Sequence, residues 1–143
     1  MSKEFLEIDL HTTDDKVKYS AKAGDNPEVV IDYYPPIGCG EGYTSLELLL
    51  ISLASCISTA VLSLLRAKMR RSVESLQAHA TGKLRQEHPR AITDIELQLT
   101  IKSEDADEAD VQKAIDASEA KICPVWAMLK GNVNIQVSFT IER

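Results

Sequence analysis

At 143 residues, with aromatics only 5% of the chain, the sequence is long enough for one domain built on an aliphatic core. Its 22 acidic residues against 16 basic ones leave a formal net charge of -6, which argues against the basic stripe of a nucleic-acid binder. The 3 cysteines, Cys39, Cys56 and Cys123, make neither a secreted disulfide framework nor a CxxC pair, so the reading is cytoplasmic.

The amino-terminal Met-Ser-Lys-Glu-Phe-Leu-Glu mixes acids with apolar residues and has the character of neither a signal nor a transit peptide. Phe5, Ile8 and Leu10 then predict a first strand, and Val17 to Ala21 a second. An Ala-Gly-Asp-Asn-Pro turn at 23–27 leads to a third apolar run, Val29, Val30, Ile31 and Tyr33. The Pro- and Gly-rich segment Pro35 to Gly42, which holds Cys39, reads as a loop with an ordinary loop thiol.

From about Ser45 to Arg70 the pattern predicts a long helix. Thr44 or Ser45 caps it, Glu47 sits in its first turn, and Arg66, Lys68, Arg70 and Arg71 crowd its end, the charge order a helix dipole favours. Its interior is long and apolar enough to be mistaken for a membrane span. The polar seam of Ser52, Ser55, Ser58, Thr59 and Ser63, inside an acidic and strand-rich chain, favours a soluble protein and no membrane. A helix apolar on every face must be buried on every side. One lean domain cannot surround it, so the helix predicts a homodimer.

Beyond the helix, Val73 to Leu84 and Ala91 to Lys102 alternate apolar and polar residues around a Gln86-Glu87-His88-Pro89-Arg90 turn, a long hairpin. A second helix is expected from Ser103 to about Lys121, with Val111, Ala114, Ile115 and Ser118 on one face and Cys123-Pro124 breaking it. Val133 to Ile141 closes the chain as an alternating strand. The order describes a single α+β domain, residues 1–143. His11, His79 and His88 share no ligand spacing with the cysteines, so no metal site is expected. Trp126 and Met128 read first as packing, and otherwise as walls of an apolar pocket beside Cys123.

Two motifs in this order carry a resemblance. Ser45-Leu46-Glu47-Leu48-Leu49-Leu50-Ile51-Ser52-Leu53-Ala54-Ser55-Cys56 and Ala120-Lys121-Ile122-Cys123-Pro124-Val125, with their cysteines 67 positions apart, resemble the OsmC/Ohr family of small thiol-dependent peroxidases. The likeness runs from about Tyr43 to Arg143; the first 40 residues match by strand pattern only. The resemblance implies an OsmC-like fold, an intertwined homodimer, and active sites at the subunit boundary. It implies that Cys56 attacks an organic hydroperoxide, that Cys123 resolves the sulfenic acid as a disulfide, and that a dithiol, possibly lipoyl, restores both. Neither metal nor organic cofactor is implied.

This chain departs from that pattern in two places. It has no arginine before Arg66, where the family supplies one to hold the first thiol ionised; Lys16, Lys18 and Lys22 share a strand parity and are imperfect stand-ins. The family's acid commonly stands ten residues before the first cysteine, a position held here by Leu46, with Glu47 one place later. Nine residues at about 100° each put Glu47 about 180° around the helix and about 13 Å along it from Cys56. Glu47 therefore serves either the helix start or a partner's thiol. Cys56 lies beyond reach of the helix dipole, whereas Cys123 before Pro124 takes a cap position where a dipole favours thiolate. A non-catalytic dimer binding a small apolar ligand and a thiol redox sensor are the rival readings.

Overall fold

The computed structural model describes residues 4–143, so the Met-Ser-Lys that opens the amino-terminal reading lies outside the described residues. The chain divides between Leu48 and Leu49 into two compact units.

In the first unit, β1 (Asp9–Thr12), β2 (Tyr19–Lys22) and β3 (Val29–Ile31) form an antiparallel sheet in that order. Asp9 faces Lys22 and Tyr19 faces Ile31 in the ladders. The expected turn at 23–27 is present, closed by the Asn26 N–H on the Ala23 carbonyl, with Gly24 at φ 59° where other residues are strained. The first strand is shorter than its apolar pattern implies. It begins at Asp9, and Phe5, Leu6 and Ile8 precede it as exposed side chains.

The helix α1 (Ser45–Ser63) starts where the sequence places it. Thr44 and Glu47 form a reciprocal capping box: the Thr44 N–H donates to the Glu47 carboxylate at 2.8 Å, and the Glu47 N–H to the Thr44 hydroxyl at 3.3 Å. The last turns do not continue as α-helix. Leu64–Lys68 widens into a π-turn, closed by the Met69 N–H on the Leu64 carbonyl at 2.9 Å.

The second unit is a sheet with helices on it. β4 (Val73–Leu84) and β5 (Ile92–Ser103) form the expected antiparallel hairpin, and β6 (Asn134–Glu142) pairs parallel to β5, so β5 is the central strand. Its inward side chains Ile95, Leu97, Leu99 and Ile101 are fully buried, as alternation on a covered face requires. They meet Leu53, Ile57, Val61 and Leu65 of the long helix, spaced one helical turn apart, together with Val111, Ala114 and Ile115.

The second helix, α2 (Glu108–Ala117), begins later than the expected Ser103. Ser103 stays in β5 because its hydroxyl donates to the Ser72 carbonyl at 2.6 Å and accepts from Ala106 N–H at 3.0 Å. The true cap is Asp107, in a reciprocal box with Asp110. Val111, Ala114, Ile115 and Ser118 share the buried face that the periodicity indicates. A second π-turn, Ser118–Ile122, leads to the short helix α3 (Pro124–Leu129).

Burial of α1 is one-sided within a single chain. Leu53, Ile57 and Val61 are covered, while Leu46 and Ile51 are 38% and 48% exposed. By length and composition the helical stretch Ser45–Lys68 is apolar enough to cross a bilayer, with mean hydropathy 2.3. Its covered face nevertheless packs into a sheet, as the core helix of a globular unit does.

Candidate active site

Cys56 lies on α1 one position before the buried Ile57, so the core that anchors Ile57 also fixes the Cys56 backbone. Its side chain is half-buried at the edge of that core. Cys123 arrives from the opposite side. The π-turn after α2 ends with the Cys123 N–H on the Ser118 carbonyl at 2.9 Å, and the chain turns extended there, at φ −80° and ψ 106°. Pro124 then occupies the first position of α3, where its missing N–H costs nothing. This brings the two sulfurs to 2.8 Å, with the Cys123 thiol donating to Cys56 Sγ.

Burial and the amide at its cap act on the Cys123 thiol in opposite directions. The cap position of Cys123 predicts a favoured thiolate, and the Trp126 N–H does donate to its sulfur at 3.3 Å. The prediction fails all the same. Burial pushes the Cys123 thiol up, its hydrogen bond to Cys56 pushes it further, and it reaches about 11 against the opposing Trp126 N–H. Six residues of α3 present too little aligned backbone to offset the loss of water around a side chain only 3% exposed. At neutral pH Cys123 is therefore a neutral thiol.

Cys56 opens on a cavity of about 380 Å³. Thr59, Ala60, Ser63 and Leu64 line it from the same helix, Ile122 and Pro124 from the segment carrying the other cysteine, and Lys68 also borders it. Sequence reasoning did not identify this lining. The signal was present: positions 55–56, 59–60, 63–64 and 67–68 recur at helical spacing, and small residues dominate them. The seam of Ser55, Thr59 and Ser63 argued only against a membrane, yet it is the wall of the cavity. Neither Trp126 nor Met128 lines it; Trp126 is buried in the core and Met128 is 75% exposed.

Glu47 is engaged in the capping box with Thr44 at the helix start. Asp32, Cys39 and Glu41 of the first unit place three potential metal-binding atoms within 4.8 Å of one another, a cluster their spacing did not announce. Two of those donors, Asp32 and Glu41, already have partners. The buried Asp32 carboxylate accepts from the Tyr33, Cys39 and Glu41 N–H groups, and Glu41 accepts from the Lys18 ammonium at 2.6 Å. Burial opposes ionisation of Asp32, but those N–H groups prevail and hold its carboxyl below the usual range. The cation serving this cluster is Lys18. Cys39 is an exposed loop thiol, as its Gly-flanked setting implies.

Comparison with known proteins covers the same ground. The family model described as OsmC-like protein matches residues 38–138. Protein YhfA of Escherichia coli (strain K12) is 33% identical over 96 residues, which is 67% of this chain and 71% of that protein. An OsmC-like protein from Mycoplasma pneumoniae superposes with a TM-score of 0.82 at 24% identity over 100% of both chains. An organic hydroperoxide resistance protein OsmC from Legionella pneumophila does so at 0.71 and 13% identity, covering 98% of this chain and 99% of that one. At those identities the two structures establish a shared fold.

Proposed function

Because the chain belongs to the OsmC-like family, we propose that it is a thiol-dependent peroxidase that reduces organic hydroperoxides in the cytoplasm as a homodimer. The observation that carries this reading is the 2.8 Å contact between the Cys56 and Cys123 sulfurs. Hydroperoxide resistance is in the name of the Legionella protein whose fold this chain shares, which supports the substrate class.

The chemistry runs in three balanced steps. The Cys56 thiolate attacks the distal oxygen of the hydroperoxide. A sulfur–oxygen bond forms, the oxygen–oxygen bond breaks, and the alkoxide takes a proton and leaves as alcohol. Cys56 is now a sulfenic acid. Cys123 attacks that sulfur, its own proton joins the departing hydroxide as water, and a disulfide results. A dithiol then reduces the disulfide by exchange and is itself oxidised, returning both thiols. Holding a protonated thiol against the attacking sulfur keeps the resolving group in place before oxidation. Glu47 enters as a positioning residue through its capping box.

Stopped-flow mixing of reduced protein with excess cumene hydroperoxide should show thiol loss within seconds and a mass decrease of two hydrogens. No thiol loss over minutes would end the peroxidase reading. The absence of any arginine before Arg66 favours a second reading, a non-catalytic dimer that binds a small apolar ligand in the same cavity. That protein would bind its ligand equally well after Cys56→Ser and consume no peroxide.

A further inference from the structure

Three irregularities of the backbone converge beyond the far end of α1, on a second cavity of about 660 Å³. The π-turn Leu64–Lys68 carries Arg66. Arg70 follows in the left-handed region at φ 56°, a helix-end position that glycine usually takes, and the Arg71 N–H closes the turn on the Leu65 carbonyl at 2.8 Å. Glu74 is then the extra residue of a β-bulge, because Val73 faces Ser103 while Ser75 faces Lys102. Arg66, Arg71 and Glu74 all line the cavity, with Lys102 of β5, Glu104 after it, and Arg143 after β6. Four basic side chains against two acidic ones is an unusual balance in a chain of net charge -6. The charges are also unevenly paired. Lys102 meets Glu74 at 3.6 Å and Arg71 meets Asp110 at 2.8 Å, whereas among the described residues neither Arg66 nor Arg143 has a carboxylate partner. Backbone oxygens fix them instead. Arg66 donates from Nε and Nη2 to the Val73 carbonyl at 3.3 and 2.8 Å, and Arg143 donates from Nη1 to the Ser103 and Ala106 carbonyls at 3.1 and 2.8 Å. Among the described residues Nη1 of Arg66 and both Nε and Nη2 of Arg143 are left without a protein acceptor. A planar cation held in place with donors to spare suits the oxygens of an anionic ligand.

We propose that this cavity binds a small phosphate ester, its phosphoryl group taken by Arg66 and Arg143 and its hydroxyl-bearing body lying toward Glu104. Two guanidiniums without carboxylate partners match a dianion, where a single carboxylate would leave one of them unused. Glu104 lines the cavity without a cationic partner among the described residues, so a body that donates hydrogen bonds fits that side and a second phosphate does not. The volume lies within the range of ligand pockets and exceeds what inorganic phosphate alone would fill. No residue lines both this cavity and the one at Cys56, so the inference stands apart from the peroxidase reading.

Isothermal titration calorimetry of the full chain with ribose 5-phosphate, ribose and inorganic phosphate tests this, and hydroperoxide turnover plays no part in the readout. Ribose 5-phosphate should bind about tenfold or more tightly than inorganic phosphate, ribose should give no saturable heat, and affinity should fall as salt rises. Arg143→Gln should weaken binding about tenfold or more, the loss of a charge-assisted hydrogen bond. Lys102 anchors no backbone group and its ammonium meets only Glu74, so Lys102→Gln keeps the fold and should weaken binding about threefold. Melting curves of the unliganded variants check that each is folded. Equal affinity for ribose 5-phosphate and inorganic phosphate would reduce the site to an unselective anion contact and overturn the proposal. So would the absence of saturable heat at millimolar ribose 5-phosphate, or binding that Arg143→Gln and Lys102→Gln both leave unchanged.

Discussion

At the residue scale, the two cysteines are made unequal by their surroundings. Both stand out in the sequence as a pair 67 positions apart, and the resemblance implied an attacking and a resolving role, but the raised Cys123 thiol was not legible there. A cap position is visible in Cys-Pro; the burial that outweighs it depends on what α2 and the core place around the sulfur. Cys56→Ser should leave no hydroperoxide turnover above background in a coupled dithiol assay. Cys123→Ser should still lose its Cys56 thiol to peroxide, but the sulfenic acid has no thiol beside it. Sulfinic acid should then accumulate, visible as a mass gain of two oxygens. Cys123 also predicts a pH dependence. Its folded-state thiol titrates near 11, above the unfolded value, so the folded state binds the extra proton. Stability is fully present below about pH 9 and falls as pH rises toward 11. Urea melts at pH 8 and 10.5 should show that loss in the wild type and a smaller one in Cys123→Ser.

At the element scale, capping chemistry and core spacing set the boundaries. The Thr44–Glu47 box was readable because its two residues stand three apart ahead of an apolar run. The start of α2 was misread because Ser103 is also a good cap residue, and only its bond to Ser72, remote in sequence, removes it from contention. Asp107→Ala should cost about 1 kcal/mol by thermal or denaturant melting. Ile57→Ala, in the fully buried row facing β5, should cost about 2–5 kcal/mol. The π-turn at Leu64–Lys68 has no local signature that periodicity detects, yet it changes which side chains share the face of Cys56.

At the scale of the whole molecule, an apolar surface remains to be covered. Ile51 is 48% exposed on a helix whose opposite face is core, and Phe5 and Leu6 are 80% and 88% exposed. A second copy of the chain is the covering that the homodimer proposal supplies. Sedimentation velocity should find a dimer at micromolar concentration, and Ile51→Glu should shift it toward monomer or aggregate. A wild-type monomer that stays soluble at high concentration would count against the dimer.

The order of the long elements and the core faces of β5 and α2 follow from the sequence alone, because periodicity, caps and turn residues act over a few positions; α1, apolar on every face, gave no sign of which side the core would take. The rise of the Cys123 thiol, where α2 begins, and which residues wall the cavity were decided by tertiary structure. Those outcomes depend on desolvation and on partners dozens of residues away, and no local pattern encodes either.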